Sequence, residues 1–485
     1  YQQVYPIYGI GMVLALSGWP LFISKIITEQ PDEMHQQLVA RRLFWSLVGI
    51  SAVLFTIVYG GAAPLSLLMG GDLKLYPVVR AVAWMFWFMP FLAIGRGYAQ
   101  GQLNMVPTAM SQVIEQIVRV AIIIGVAWWG VNASWSVYQI GEWATFGATI
   151  AGLAATLFLA TSLRRIWSLP IDETVKQSKA LSWRHLFGRL WREGGLLAML
   201  AALLVLLQLV DSFSTKLLLQ DAGLTAHQAE FTKGVYDRGQ PLVQLGMVLA
   251  TGLGTSLLPA LRQHVIRHDE QALRNDFQLT MRLSILLSGV ATVGLVAIMP
   301  SVNQLLFGSP AGSDALALFT ISIVPATLIV VSTSVLQSFD KTRGLGWFVL
   351  LTMLVKAGLN IWLVPILGIA GASLATVGAL LPFLIFTLTR LPKSLWISWV
   401  PKKWWGKLVV ILLAVGILAR LAYILGHSLF GATRLASVLT TVVGVGVGAI
   451  AFVLMLWWTA LLEEAEWDAL PKGRQIYQFI NRGRK

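Results

Sequence analysis

Seven polar residues stand in a chain that otherwise leaves little room for them. Glu115 and Arg119 lie at i,i+4 in SQVIEQIVRV, which places both on one helix face. There they either pair and fix helix packing or serve a substrate or a coupling ion. Asp211 follows a nearly unbroken apolar run in LVDSFSTKLL and is the best lone carboxylate for sodium or proton coupling, unless Lys216 merely neutralises it. Asp237 and Arg238 are expected to open a helix in VYDRGQP, where a fixed guanidinium either offers a planar fork to a phosphate or diphosphate or snorkels to the interface. Lys356 and Asn360, again at i,i+4, face a cavity or a seam between helices. Arg238, Arg119 and Lys356 together supply cations for a diphosphate. Asp211, Asn360, Glu115 and Asp237 supply a coupling-ion site or charge relay.

Other chemistries find no support. The chain has no cysteine, which removes disulfides, thiol catalysis, iron–sulfur clusters and cysteine–zinc sites. Of its six histidines, His264 and His268 come nearest to a ligand pair, but they sit in a basic polar stretch without HExxH, so no metal site is expected. The glycines from Gly444 to Gly448 lack a following Lys-Ser/Thr and lie mid-helix, so they read as a close-packing face. With no nucleotide loop or triad spacing, no catalytic residue and no enzyme activity are expected. A coupling Na+ or H+ is the one small cofactor considered.

The elements that must position these residues are membrane helices. Of 485 residues 56% are hydrophobic and 12% charged, with a mean hydropathy of +0.73, which excludes an ordinary soluble domain. A spanning helix needs about 20 mostly apolar residues. Thirteen such segments are visible, at about 5–28, 43–61, 78–101, 105–130, 136–162, 190–219, 237–261, 281–307, 315–338, 346–366, 368–389, 406–426 and 436–462, with 62–77 either loop or re-entrant. Basic residues collect in alternate connections, from Arg41 and Arg42 through Arg164, Arg165 and Lys176 to the tail. Stretches 131–135 and 308–313 have none, which assigns the basic side and the C-terminus to the cytoplasm. The net charge of +14 is then mostly topology, with no need of a nucleic-acid partner. Interfacial belts account for tryptophan pairs such as Trp404 and Trp405. The tail beyond residue 460 suits an amphipathic segment on anionic membrane lipids.

An internal repeat organises the helices. YQQVYPIYGIGMVLA from Tyr1 matches YDRGQPLVQLGMVLA from Tyr236, and the same offset of 235 pairs Pro90 with Pro325 and Gln102 with Gln337. Arg238 has Gln3 as its counterpart. The second copy has a whole helix before Tyr236 where the first has none, so one N-terminal helix is expected upstream of Tyr1. The reading is an all-α polytopic membrane protein of two homologous six-helix lobes around a central cavity plus two C-terminal helices, fourteen when complete. Its parts are 1–165 (N-terminal lobe), 166–189 (basic cytoplasmic linker), 190–390 (C-terminal lobe) and 391–485 (extra helices and tail). Two parallel lobes with a midplane cavity are a transporter plan; a non-transporting scaffold offers no reason for a duplicated bundle lined with charges.

At RGYAQGQLNMVPTAMSQVIEQIVRV (from Arg96), YDRGQPLVQLGMVLATGLGTSLLPALRQ (from Tyr236) and NIWLVPILGIAGASLAT (from Asn360) the chain resembles the lipid II flippase family. It is most similar to the Gram-positive polysaccharide-export branch of the multidrug/oligosaccharidyl-lipid/polysaccharide exporter superfamily. The resemblance implies a V-shaped cavity and a final helix pair that takes a polyprenyl tail. It also implies translocation of undecaprenyl-diphosphate-linked peptidoglycan precursor across the bacterial cytoplasmic membrane, in support of cell-wall synthesis and cell shape and beside the wall-synthesis machinery. By the same resemblance Arg238 meets the lipid diphosphate, Asp211 is the carboxylate of a sodium site and Asn360 its partner amide. A second carboxylate of that site, one turn beyond Asn360, is replaced by Val364, which leaves the coupling ion open. Export of another polyprenyl-linked oligosaccharide, or cation-coupled multidrug export, are the alternatives.

Overall fold

The computed structural model describes residues 3–70, 72–172, 181–248, 252, 264, 267, 269–392, 395, 402–431, 433–462 and 464–467. Every regular element among them is helical, and eleven helices, or twelve if one bent pair is a single span, are long and apolar enough to cross a membrane. Residues 249–251 and 253–261 of the expected segment at 237–261, and most of the amphipathic tail, lie outside the described residues.

The first helices are α1 (Tyr5–Thr28), α2 (Glu33–Gly60), the short α3 (Ala62–Leu68), α4 (Leu73–Gly101), α5 (Val106–Asn132), α6 (Val137–Phe158) and α7 (Ala160–Ile166). The ambiguous 62–77 stretch is therefore mostly helical turns. Helix α2 begins ten residues earlier than its apolar pattern suggests, because the Asp32 carboxylate accepts from the His35 N–H at 2.9 Å and caps the N-terminus. Arg41 and Arg42 thus belong to α2 itself. Their guanidiniums donate to the carbonyls of Ile166, Leu169 and Leu181 and tie the following connection to this end of the bundle. The expected single span at 136–162 is bent by 60° between α6 and α7.

Next come α8 (Trp183–Arg189), α9 (Gly195–Ala201), α10 (Leu203–Asp221) and α11 (Ala226–Asp237). Asp237 and Arg238 do not open a helix. Asp237 ends α11, a helix started in a polar stretch by the Thr225–Gln228 capping box, and Arg238 sits at the break before helical residues 239–248. Pro241 falls in the first turn after that break, where its missing N–H costs nothing. The remaining helices are α12 (Glu270–Phe307), α13 (Ser313–Ser338), α14 (Leu345–Leu367), α15 (Ile369–Arg390), α16 (Lys403–Phe430) and α17 (Arg434–Thr459).

Packing divides the chain into two compact units, Tyr1–Gln220 with Leu345–Ala357, and Asp221–Gly344 with Gly358–Lys485. In the first, Ile23 and Ile27 of α1 press onto α4 so closely that a Cβ on Gly97 or Gly101 would come within 2.6 Å of them. This is small-xxx-small packing, which lets two backbones approach where water supplies no drive. Around it lie Phe22, Ile26, Leu43 and Leu47, all fully buried. In the second unit α12 has 38 residues, about 57 Å at 1.5 Å per residue, well beyond the roughly 30 Å of hydrocarbon. It packs against α16 and α17, with Gly444 against Ile298 and Gly448 facing Val415 and Ala419; these two glycines form a packing face, while a Cβ at Gly446 between them would meet nothing within 4 Å.

Candidate functional site

The described residues include three ion pairs with both side chains buried. On α5, Glu115 accepts from Arg96 of α4 at 2.6 Å; Arg96 also donates to Ser111 Oγ at 3.0 Å and to the Ala15 carbonyl at 3.2 Å. The Arg96 side chain has no exposure at all. Every partner is an acceptor, so the guanidinium is satisfied by α1 and α5 together. One turn on from Glu115, Arg119 donates to the Tyr8 hydroxyl and lies over its ring at 4.9 Å. The i,i+4 geometry places Glu115 and Arg119 on one face as expected, but each reaches a different helix.

Asp211 of α10 pairs with Lys356 of α14 at 2.8 Å, with side-chain exposures of 1% and 0%. Thr215 Oγ1 adds a 3.4 Å contact to the same carboxylate. The Lys356 ammonium therefore belongs to a closed charge pair, and the Asp211 carboxylate has its cation from another helix. Lys216 lies against Gly70, its Cδ 2.9 Å from where a Cβ would stand. Asn360 follows Lys356 by one turn on α14 and is fully buried, as is Val364 one turn further.

In the second unit Lys233 donates to both carboxylate oxygens of Asp237 at 2.6 Å, an i,i+4 pair at the end of α11. Asp237 is thereby neutralised within its own helix. Its neighbour Arg238 is half-buried and differs in kind. Its Nη1 donates to Asn303 Oδ1 at 3.1 Å and the Ser309 carbonyl at 3.2 Å, and the guanidinium lies 5.2 Å from the Phe307 ring centre. Asn303 is itself held by donating to the Ala311 carbonyl and Ser313 Oγ. Among the described residues Arg238 has only neutral partners. Its repeat counterpart Gln3 likewise donates to two carbonyls, of Met69 and of Ser212, the second at 2.8 Å. A neutral amide thus suffices for the bracing role in the first unit. The positive charge of Arg238 is surplus to it.

The structure joins Asp211 with Lys356, sets Asp237 beside Arg238, and leaves Arg119 on Tyr8. It also brings in Arg96, Lys233 and Asn303, which spacing did not single out. Lys233 was legible, since it precedes Asp237 by four residues, but its segment reads as too polar for a span. Arg96 and Glu115 are joined across a turn, so no single-helix periodicity reports them. Among the described residues no group of three or more histidine, aspartate or glutamate side chains is placed to hold a metal.

Comparison with known proteins gives these features a setting. A Bacillus subtilis (strain 168) protein described as uncharacterized membrane protein YabM is 33% identical over 99% of this chain and 90% of its own length. Lipid II flippase MurJ of the same organism is 24% identical over 78% of this chain and 73% of its own. A solved structure of a lipid II flippase MurJ in an inward closed conformation shares the fold, with a TM-score of 0.67 at 13% identity, covering 95% of this chain and 94% of that one. Residues 1–265 match the model of the family described as polysaccharide biosynthesis protein. With more than half the chain inside that model and a near full-length relative at 33% identity, this multi-pass membrane protein belongs to the polysaccharide biosynthesis protein family.

Proposed function

We propose that the chain is a flippase that carries a polyprenyl-diphosphate-linked oligosaccharide, lipid II foremost, from the inner to the outer leaflet of a bacterial cytoplasmic membrane by alternating access. The observation that carries this reading is the surplus charge of Arg238, whose described partners are all neutral acceptors. A diphosphate with a polar glycan head cannot cross hydrocarbon unaided. A half-buried guanidinium already braced by an amide and a carbonyl presents its remaining donors without reorganisation. Asp211 with Lys356 is the proposed coupling relay: protonation or ion binding at Asp211 would release the lysine and change the packing of α10 on α14. Peptidoglycan synthesis, a role in cell shape and contact with the wall-synthesis machinery follow from this reading.

The test is complementation of a strain depleted of its lipid II flippase. The wild-type chain restores growth, Arg238→Ala does not although it reaches the membrane in normal amounts, and Arg238→Lys restores it in part. Growth with Arg238→Ala equal to wild type would sink the diphosphate role. The second reading, another polyprenyl-linked glycan, is favoured by the higher identity to YabM (33%) than to lipid II flippase MurJ (24%). It predicts that the wild-type chain fails to complement yet translocates a different polyprenyl-diphosphate glycan in vesicles, with the same dependence on Arg238.

A further inference from the structure

Away from the ion pairs, the first unit contains a pocket of about 350 Å³ formed by α2, α4 and α6 and lined by Tyr59, Tyr76, Arg80, Trp84, Glu142 and Trp143. That volume is at the small end of the roughly 300–1,000 Å³ range of small-molecule sites. Tyr59 belongs to the last turn of α2, Tyr76 and Arg80 to the first part of α4, and Glu142 and Trp143 to the start of α6. The pocket therefore opens at the end of these helices away from Arg41, Arg42, Arg164 and Arg165. Arg80 is clamped between two rings, its guanidinium 4.3 Å from the centre of Tyr59 and 4.6 Å from that of Tyr76. Its Nε is buried with no hydrogen-bond partner. Trp84 and Trp143 are 42% and 51% exposed, so both indoles have surface to offer.

The charges select among ligands. An organic cation would suit the rings, but Arg80 occupies the space between two of them and repels it. A phosphate would suit Arg80, but Glu142 lines the same pocket. A neutral polyhydroxylated ring meets neither objection. Its hydroxyls accept from the guanidinium and donate to the carboxylate, and its C–H face covers an indole. We infer that this pocket is a binding site for a neutral saccharide ring, distinct from the Arg238 region. Arg80 serves as the donor, Glu142 as the acceptor and Trp143, the more exposed of the two indoles, as the stacking platform. Because it concerns free saccharide, the assignment stands or falls separately from the diphosphate reading.

The experiment uses the whole chain in nanodiscs of phosphatidylethanolamine and phosphatidylglycerol, free of glycoside detergent, with N,N′-diacetylchitobiose and maltose as probes in saturation-transfer NMR. Wild type and Arg238→Ala transfer saturation to at least one sugar equally, whereas Trp143→Ala and Glu142→Gln reduce the signal at least fivefold, and Trp143→Phe retains most of it. Trp143 is half exposed, so its variant tests the site even if Arg80→Ala fails to fold. No transfer to either sugar in the wild type, or equal transfer in wild type and Trp143→Ala, overturns the assignment.

Discussion

Taking a carboxylate and an ammonium out of water costs several kcal/mol for each ion, and only their mutual attraction offsets it. Asp211 and Lys356, both essentially unexposed at 2.8 Å, meet that condition. Removing one partner strands the other. Lys356→Met and Asp211→Leu are each expected to destabilise the protein by about 3–5 kcal/mol, whereas the double variant regains most of the loss. Thermal unfolding of the purified proteins measures this; strictly additive losses would show that the two charges do not act as a pair. The double variant is also expected to remain folded but to lose ion-dependent transport in vesicles, which separates a coupling role from a purely structural one. The polar residues were legible individually because intramembrane charge is rare. Their partners were not, because Asp211 and Lys356 are far apart in sequence and meet only through the packing of α10 and α14.

Among the elements, contact between α1 and α4 depends on side chains that are absent. Gly97 and Gly101 leave room for Ile23 and Ile27, and a Cβ at either position would stand 2.6 Å from a branched carbon. Gly97→Val is therefore expected to lower the melting temperature or the membrane yield sharply, while the same change at Gly125, where a Cβ meets nothing within 4 Å, has little effect. Similar melting behaviour for both would remove the argument for close packing. Helix existence was readable from apolar length, but ends were not. Residues 33–42 read as a basic loop because Arg41 and Arg42 interrupt the pattern, yet the Asp32 cap starts the helix before them. The bend between α6 and α7 leaves no proline or glycine at Leu159 to announce it.

For the whole molecule, the alternation of basic connections predicts the direction of the chain through the bilayer, with the basic side facing the cytoplasm. The absence of cysteine makes this measurable without altering a background. Ala133→Cys, in the connection before α6, is expected to react with a membrane-impermeant maleimide on intact cells. Leu169→Cys, just beyond α7, reacts only after permeabilisation. The reverse pattern would invert the topology and place Arg238 and the aromatic pocket toward the opposite leaflets. One helix is divided between the two units. Helix α14 contributes Leu345–Ala357 to one compact unit and begins its part in the other at Gly358. A weak point of this helix is Gly358, where a Cβ would meet nothing within 4 Å. Glycine, with about 1 kcal/mol less helix propensity than alanine, is the residue that yields there. Lys356 stands two residues before it, so the Asp211 pair fastens α14 to α10, within the first unit, just short of that residue.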